Sequence, residues 1–195
     1  TRECQVEARG TDTRRQERNV QDELRGATLT HLGLACAWGA MAEDAPRVAD
    51  AARQWWNAAV PFISDAVTRK LLFRTACDIA GHLAAVGETD AMHFRVMLYQ
   101  LIFDCHSDAE DWEGGLEAVH RAFNDIPRHL QRPLWTSRVV FSSKLGKSVA
   151  EGLAKVKESD PTLQARSWAT LARSSSRPKD QLVAYLRVLD TLEGR

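Results

Sequence analysis

The sequence is short of every feature that would mark a membrane protein, a disulfide scaffold or a general nucleic-acid binder. No run of ~18 uncharged apolar residues occurs, so no helical membrane span is encoded. Its four cysteines, Cys4, Cys36, Cys77 and Cys105, lie far apart and form no CxxC pair. Three of them fall on or beside apolar helical faces, which suits buried thiols in a reducing compartment, and the cytoplasm is the expected location. Neither charge sign dominates: 26 Lys and Arg face 26 Asp and Glu. That balance removes the overall basic excess of a nucleic-acid binder. The opening residues mix both signs and hold no apolar core of the kind a secretory signal needs. The chain starts at Thr1 without a Met and runs to Arg195 in a helix-like stretch, so it is expected to be part of something longer.

What is present is helical periodicity. Residues 1–17 carry little of it and are expected to be a lead-in or the end of an upstream helix. Residues 18–195 are expected to be a helical-repeat segment. Val20, Leu24, Ala27, His31, Leu34, Trp38 and Met41 advance by alternating fours and threes, which defines one helix face. Asp44 and Pro46 stop that helix and begin another, with Val48, Ala52, Trp55 and Ala59 in a stripe that ends at Pro61. Ser64 is expected to cap a third helix carrying Leu72, Ala76, Ile79, Leu83 and Val86, closed by Gly87. Thr89 opens a fourth, with Phe94, Met97, Leu98, Leu101, Ile102 and Cys105. Ser107 and Glu110 have capping-box spacing ahead of Trp112, Leu116, Val119, Phe123 and Ile126.

Pro127 and Pro133 then bracket a short connection. Leu134, Phe141 and Leu145 lead to a stop near Gly146, and Val149, Leu153 and Val156 form a short helix. Asp160 with Pro161 caps a helix bearing Leu163, Trp168 and Leu171. A last helix after Pro178 carries Leu182, Tyr185, Leu186, Leu189 and Leu192. Val139, Val140 and Phe141 alone argue for a strand, which would have no partner.

Nine amphipathic helices with short connections predict an all-α fold of antiparallel helical hairpins. These either close into a bundle or stack as an irregular tetratricopeptide-like solenoid. The window from Trp112 to Pro127 favours the stack, because Gly115, Val119, Ala122 and Pro127 match the small, bulky, small and proline positions in the second helix of a tetratricopeptide repeat. Tyr99 and Ile102 fill the bulky positions of the preceding helix, whereas Phe103 falls where that repeat wants glycine. The stretch from Gln181 to Asp190 echoes the pattern with a shorter turn.

Motif-like chemistry is thin. Gly146, Lys147 and Ser148 resemble the end of a phosphate-binding loop, but Phe141 stands where the first glycine must be, so the segment reads as a helix stop. Cys77 with His82, and Cys105 and His106 with His93, lack the spacing that aims two ligands at one ion. His31 reads as a core or groove histidine. No catalytic residue, cofactor or metal is expected.

Two features point to protein contacts. Among six tryptophans, Trp55 and Trp56 are adjacent, so on a helix they cannot face the same layer, and one is expected to meet a neighbouring unit or partner. Charge is also segregated: Asp104, Asp108, Glu110, Asp111, Glu113 and Glu117 cluster. Arg128, Arg132, Arg138, Lys144 and Lys147 follow, with Arg166, Arg173, Arg177 and Lys179 later. Such runs commonly form a solvated face. The sharper expectation is a basic side that reads an acidic partner such as a tubulin tail, with salt-sensitive binding. The expected partner contacts are therefore Trp55, Trp56, Arg128, Arg132, Arg138, Lys144 and Lys147.

The C-terminal half carries a resemblance as well. Leu134-Trp135, the Ser-Lys-Leu-Gly-Lys segment at 143–147, Lys-Glu-Ser-Asp-Pro at 157–161 and Gln-Ala-Arg at 164–166 are distinctive as a set. With the stretch from Asp111 to Trp135, they resemble the helical-repeat region of the cilia- and flagella-associated protein 46 family. That resemblance implies a much longer protein rich in tetratricopeptide-like repeats, serving as a structural part of a central-pair projection in the axoneme of motile cilia. Its implied neighbours are other central-apparatus proteins, with calmodulin in the same projection, and it brings no catalytic residues. An axonemal scaffold is the leading expectation. A soluble tetratricopeptide-type adaptor that binds peptides or client proteins reversibly is the alternative, and an enzyme with a cryptic helical site comes third.

Overall fold

The helix signals become ten α-helices and three 3-10 turns in a computed structural model. It describes residues 2–87, 92–155 and 160–193, with side chains for 20–87, 92–150, 153–154 and 160–193. No strand occurs among the described residues. Two compact units divide the chain, Thr1–Asp90 and Ala91–Arg195.

The first unit contains α1 (Arg2–Met41), α2 (Ala45–Ile63), α3 (Ala66–Arg69), a 3-10 turn at Lys70–Leu72, and α4 (Phe73–Ala85). Asp44 caps α2 as its spacing predicts, accepting from the Arg47 amide at 3.1 Å, with Pro46 in the first turn. Val48, Ala52, Trp55 and Ala59 are fully buried in the expected stripe. Ala76, Ile79 and Leu83 of α4 complete this core, and Gly87 adopts φ +65° at the helix stop.

Three details differ from expectation. α2 continues through Pro61 to Ile63 because Phe62 turns inward, and the last carbonyls find partners beyond the helix. Thr68 Oγ1 donates to the Phe62 carbonyl at 3.0 Å, and Arg69 Nε donates to that of Ile63 at 2.7 Å. The next cap is Asp65 rather than Ser64, since its carboxylate accepts from the Thr68 amide at 3.1 Å. The helix expected from Ser64 is broken by the 3-10 turn, which turns Leu72 inward and leaves Leu71 outside.

The largest correction concerns α1. All seven residues of its predicted face, Val20, Leu24, Ala27, His31, Leu34, Trp38 and Met41, are exposed, Trp38 at 67% and Met41 at 82%. His31 is therefore not a core histidine. α1 packs on α2 and α4 through a different face that includes Cys36 and two glycines. A Cβ on Gly33 would lie 2.8 Å from Thr75, and one on Gly39 would lie 2.9 Å from Val48. Small residues let the backbones approach, so the bulkier stripe is left outside. Burial pushes the Cys36 thiol up to about 11, which keeps it protonated.

The second unit contains α5 (Met92–Asp108), α6 (Trp112–Asp125), 3-10 turns at Arg128–Leu130 and Arg132–Leu134, α7 (Trp135–Lys144), α8 (Ala150–Lys155), α9 (Pro161–Ser174) and α10 (Pro178–Leu192). Successive long helices pack on one another: α5 on α6, α6 on α7, α7 on α9, and α9 on α10. The apparent strand signal at residues 139–141 lies inside α7. Thr89 and Val156 lie outside the described residues.

Asp160 caps α9 as predicted, accepting from the Thr162 amide at 2.9 Å. The expected capping box at Ser107 and Glu110 does not form. α5 runs on to Asp108, Glu110 takes a left-handed φ of 53°, and Asp111 caps α6 by accepting from the Gly114 amide at 3.0 Å. Gly146 takes φ +68°, and the Lys147 amide donates to the Ser142 carbonyl at 3.0 Å, so the loop amide closes α7.

At the centre of this unit the Phe141 ring lies against Gly115. A Cβ there would meet three ring atoms at 2.6 to 2.8 Å. Phe103, at the atypical repeat position, meets the Phe141 ring edge-on at a centroid distance of 6.1 Å, and Trp112 packs at 6.3 Å. A second cluster joins Val139, Leu153, Trp168, Leu171, Ala172 and Ala184. In α10 the buried position is Ala184, whereas Leu182, Tyr185, Leu186, Leu189 and Leu192 are exposed. That apolar face was expected inside. The small Ala184 packs among the α7, α8 and α9 residues of the cluster, and the bulky stripe points outward.

Gly115→Val is expected to destabilise the protein by about 1–3 kcal/mol, because the fully buried Phe141 ring has nowhere to yield. Urea denaturation checks this. Asp111→Ala is expected to cost about 1 kcal/mol at neutral pH through loss of the cap. The Gly114 amide, and then His106 at 2.9 Å, hold the Asp111 carboxyl below its usual value. Its contribution is thus present above the ordinary Asp range and lost as pH falls through the depressed value. The gap between wild type and D111A should accordingly shrink in strong acid.

Candidate functional site

The charged run that follows Pro127 is folded into a groove within the second unit. Gln131 fixes its entrance: the side-chain amide donates to the Phe123 and Ile126 carbonyls, each at 2.7 Å. These bonds satisfy the end of α6 and hold the two 3-10 turns against it. Leu134 is buried at the turn into α7, and α7 then presents Trp135 and Arg138 to the groove.

One compartment, of about 310 Å³, is bordered by Arg128, Arg132 and Arg166 over Trp135, Leu163 and Trp168. A second, of about 360 Å³, is bordered by Arg138, Lys147 and His120 over Leu116, Val149 and Leu153. Trp135 and Leu153 line both. A shallower hollow of about 510 Å³ shares Arg132, Thr136, Leu163 and Arg166 and adds Asp104. Four predicted contact residues, Arg128, Arg132, Arg138 and Lys147, therefore border these two compartments.

The cations are held differently. Arg138 lies over Phe123 at 5.4 Å and over Trp135 at 5.0 Å, and these two rings are 5.5 Å apart. Contact with aromatic faces orients the planar guanidinium. Arg132 is 3.8 Å from Asp160, a half-exposed pair of small energetic value. Among the described residues, no carboxylate lies in ion-pair range of Arg128, Arg138, Lys147 or Arg166.

The other predicted contacts fall elsewhere. Lys144 lies over Trp112 at 5.3 Å and lines neither compartment. Trp55 is in the core of the first unit with no exposed surface, so it is removed as a contact residue, while Trp56 is half-buried on the same helix. Trp135 and Arg166 were absent from the predicted contact set. Arg166 is 28 positions beyond Arg138 in sequence, so only the packing of α9 on α7 brings it to this groove.

Other ionisable clusters serve packing. Tyr99 donates a short hydrogen bond to Asp125, and Arg95 is 3.7 Å from the same carboxylate. Burial, then that hydrogen bond, raises the Tyr99 pKa. The arrangement ties α5 to α6. Among the described residues, no three His, Cys, Asp or Glu side chains gather as metal ligands would, and no helix is long and apolar enough to cross a membrane.

Fold and groove together define an all-α protein of packed helical hairpins with a basic, aromatic-lined surface. No protein-family model matches the chain. The chain is similar to cilia- and flagella-associated protein 46 of Chlamydomonas reinhardtii, 30% identical over 171 residues. That match covers 87% of this chain, so the likeness extends from the C-terminal half into the N-terminal half. The chain spans about 6% of the length of that relative.

Arg138→Lys is expected to lower stability by about 0.5–1 kcal/mol despite keeping the charge, since an ammonium cannot lie flat on the two rings. The urea midpoint measures the loss. Lys147→Arg, at an exposed position without a ring partner, should leave it unchanged.

Proposed function

We propose that this chain is a structural, non-catalytic protein-interaction segment of an axonemal scaffold, placed in a central-apparatus projection of motile cilia. The observation that carries the reading is the 171-residue similarity to a protein named for its association with cilia and flagella. In this reading the hairpins form part of an irregular tetratricopeptide-like stack. The neighbours are other projection proteins, with calmodulin and tubulin as further partner candidates, and the compartment is the cytoskeleton of the cilium.

Physical support comes from what the helices leave uncovered. On α1 the exposed stripe keeps heptad spacing from Val20 to Met41, and residues 26–42 contain no Asp, Glu, Lys or Arg. On α10, Leu182, Leu186, Leu189 and Leu192 make a second uncovered stripe. Apolar surface of this kind marks interaction faces, and a heptad row suits a facing helix. A permanent assembly accommodates such faces better than a free monomer does. The basic groove favours a second reading, a soluble adaptor that captures peptides reversibly.

Fractionation of ciliated cells that express the tagged full-length protein separates the two. The scaffold reading expects the protein in the detergent-insoluble axoneme, with release only at high salt. Recovery mainly in the membrane-plus-matrix fraction would favour the adaptor. Leu186→Gln with Leu189→Gln should change stability by no more than about 0.5 kcal/mol, since both positions are exposed and glutamine suits a helix nearly as well as leucine. The same pair of substitutions should lower the fraction retained in the axoneme.

A further inference from the structure

We propose that the groove between the two 3-10 turns, α7, α8 and α9 docks an acidic peptide segment of a partner protein, one that carries bulky apolar side chains among its carboxylates. The inference rests on the protein-interaction reading and not on ciliary location.

Charge supplies the first argument. Arg128, Arg132 and Arg166 border one compartment, and Arg138 and Lys147 border the next. Like charges brought together by folding repel one another, yet among the described residues no carboxylate lies in ion-pair range of Arg128, Arg138, Arg166 or Lys147, while Arg132 is 3.8 Å from Asp160. Carboxylates from outside would relieve that repulsion and meet cations already in place.

The floor supplies the second. Trp135, Leu163, Trp168, Leu116, Val149 and Leu153 offer apolar surface beneath the cations. A purely polyanionic ligand would leave that surface wet, whereas a Leu or Phe side chain would cover it. Compartments of about 310 and 360 Å³ match a few side chains each, and Trp135 lines both. An occupant with apolar groups on either side of Trp135 fits this partition.

Orientation supplies the third. Two aromatic rings hold the Arg138 guanidinium, so little side-chain freedom remains to be lost when it takes a carboxylate. The same features disfavour nucleic acid. The chain has no net charge, so it lacks the long-range field that draws a polyphosphate to a basic protein.

Fluorescence anisotropy on the full 195-residue chain tests the proposal. The probe is a fluorescein-labelled decapeptide of glutamates with one Phe and one Leu. Comparison ligands are an all-glutamate decapeptide, a lysine counterpart with the same Phe and Leu, and a single-stranded decanucleotide. The mixed acidic peptide should bind about tenfold or more tightly than each comparison ligand. R128E with R166E should weaken it at least about tenfold, and raising the salt should weaken it as well.

Both arginines are exposed, and an unchanged thermal melt would verify that the double variant is folded. K179E, at an exposed position outside the groove lining, should have no effect. Equal binding of the lysine peptide, tighter binding of the nucleotide, equal loss in K179E, or no binding at all would overturn the assignment. Failure here would leave axonemal fractionation untouched, so the two readings fall separately.

Discussion

The second unit depends on one aromatic ring meeting one absent side chain. Phe141 occupies space that a Cβ on Gly115 would need, with Phe103 meeting it edge-on and Trp112 beside it. Residues from α5, α6 and α7 meet at this point, so this close-packed contact helps to set their relative positions, alongside the Tyr99–Asp125 bond between α5 and α6. Interiors at native density pass such constraints on, because a neighbour cannot shift without opening a void elsewhere. α7 is held by Phe141 near its end, while Trp135 and Arg138 of the same helix reach the groove. A rigid core contact on one part of a short helix thus positions the groove lining on another.

The groove also depends on cheaper devices. Gln131 satisfies two carbonyls at the end of α6 and so fixes a connection that contains two prolines. Ser143 and Ser174 share a hydrogen bond of 2.8 Å between α7 and α9. Together with the apolar cluster around Trp168, that bond brings α9 and its Arg166 to the basic side. A charge run in the sequence becomes a bounded site only through this packing.

Much of the local structure was legible in the sequence where a single residue decides the outcome. Asp44 and Asp160 cap helices because a short carboxylate reaches amides two or three residues on, and Gly87 and Gly146 stop helices because they accept positive φ. Errors arose where two local signals competed. Ser64 lost to Asp65, and the Ser107 and Glu110 pair lost to Asp111. Periodicity located the buried stripes of α2 and α4 correctly, yet it misled on α1 and α10. An apolar row reports that a face wants covering and carries no information about what covers it. Where small residues such as Gly33, Gly39 and Ala184 line the other side, close backbone approach wins that side for the core. The cations of the groove were visible as a run, but Trp135 and Arg166 were not singled out, because their role exists only once α7 and α9 are packed.

The uncovered row on α1 has a consequence for the lifetime of the chain. Chaperones and quality-control proteases act on exposed apolar surface, and they turn stability losses of about 1–2 kcal/mol into several-fold changes in abundance. A chain whose Leu24, Trp38 and Met41 stay in water presents that signal while fully folded. Cover from a neighbouring segment of a longer chain or from a partner would hide that surface, and a folded chain left without it would turn over faster.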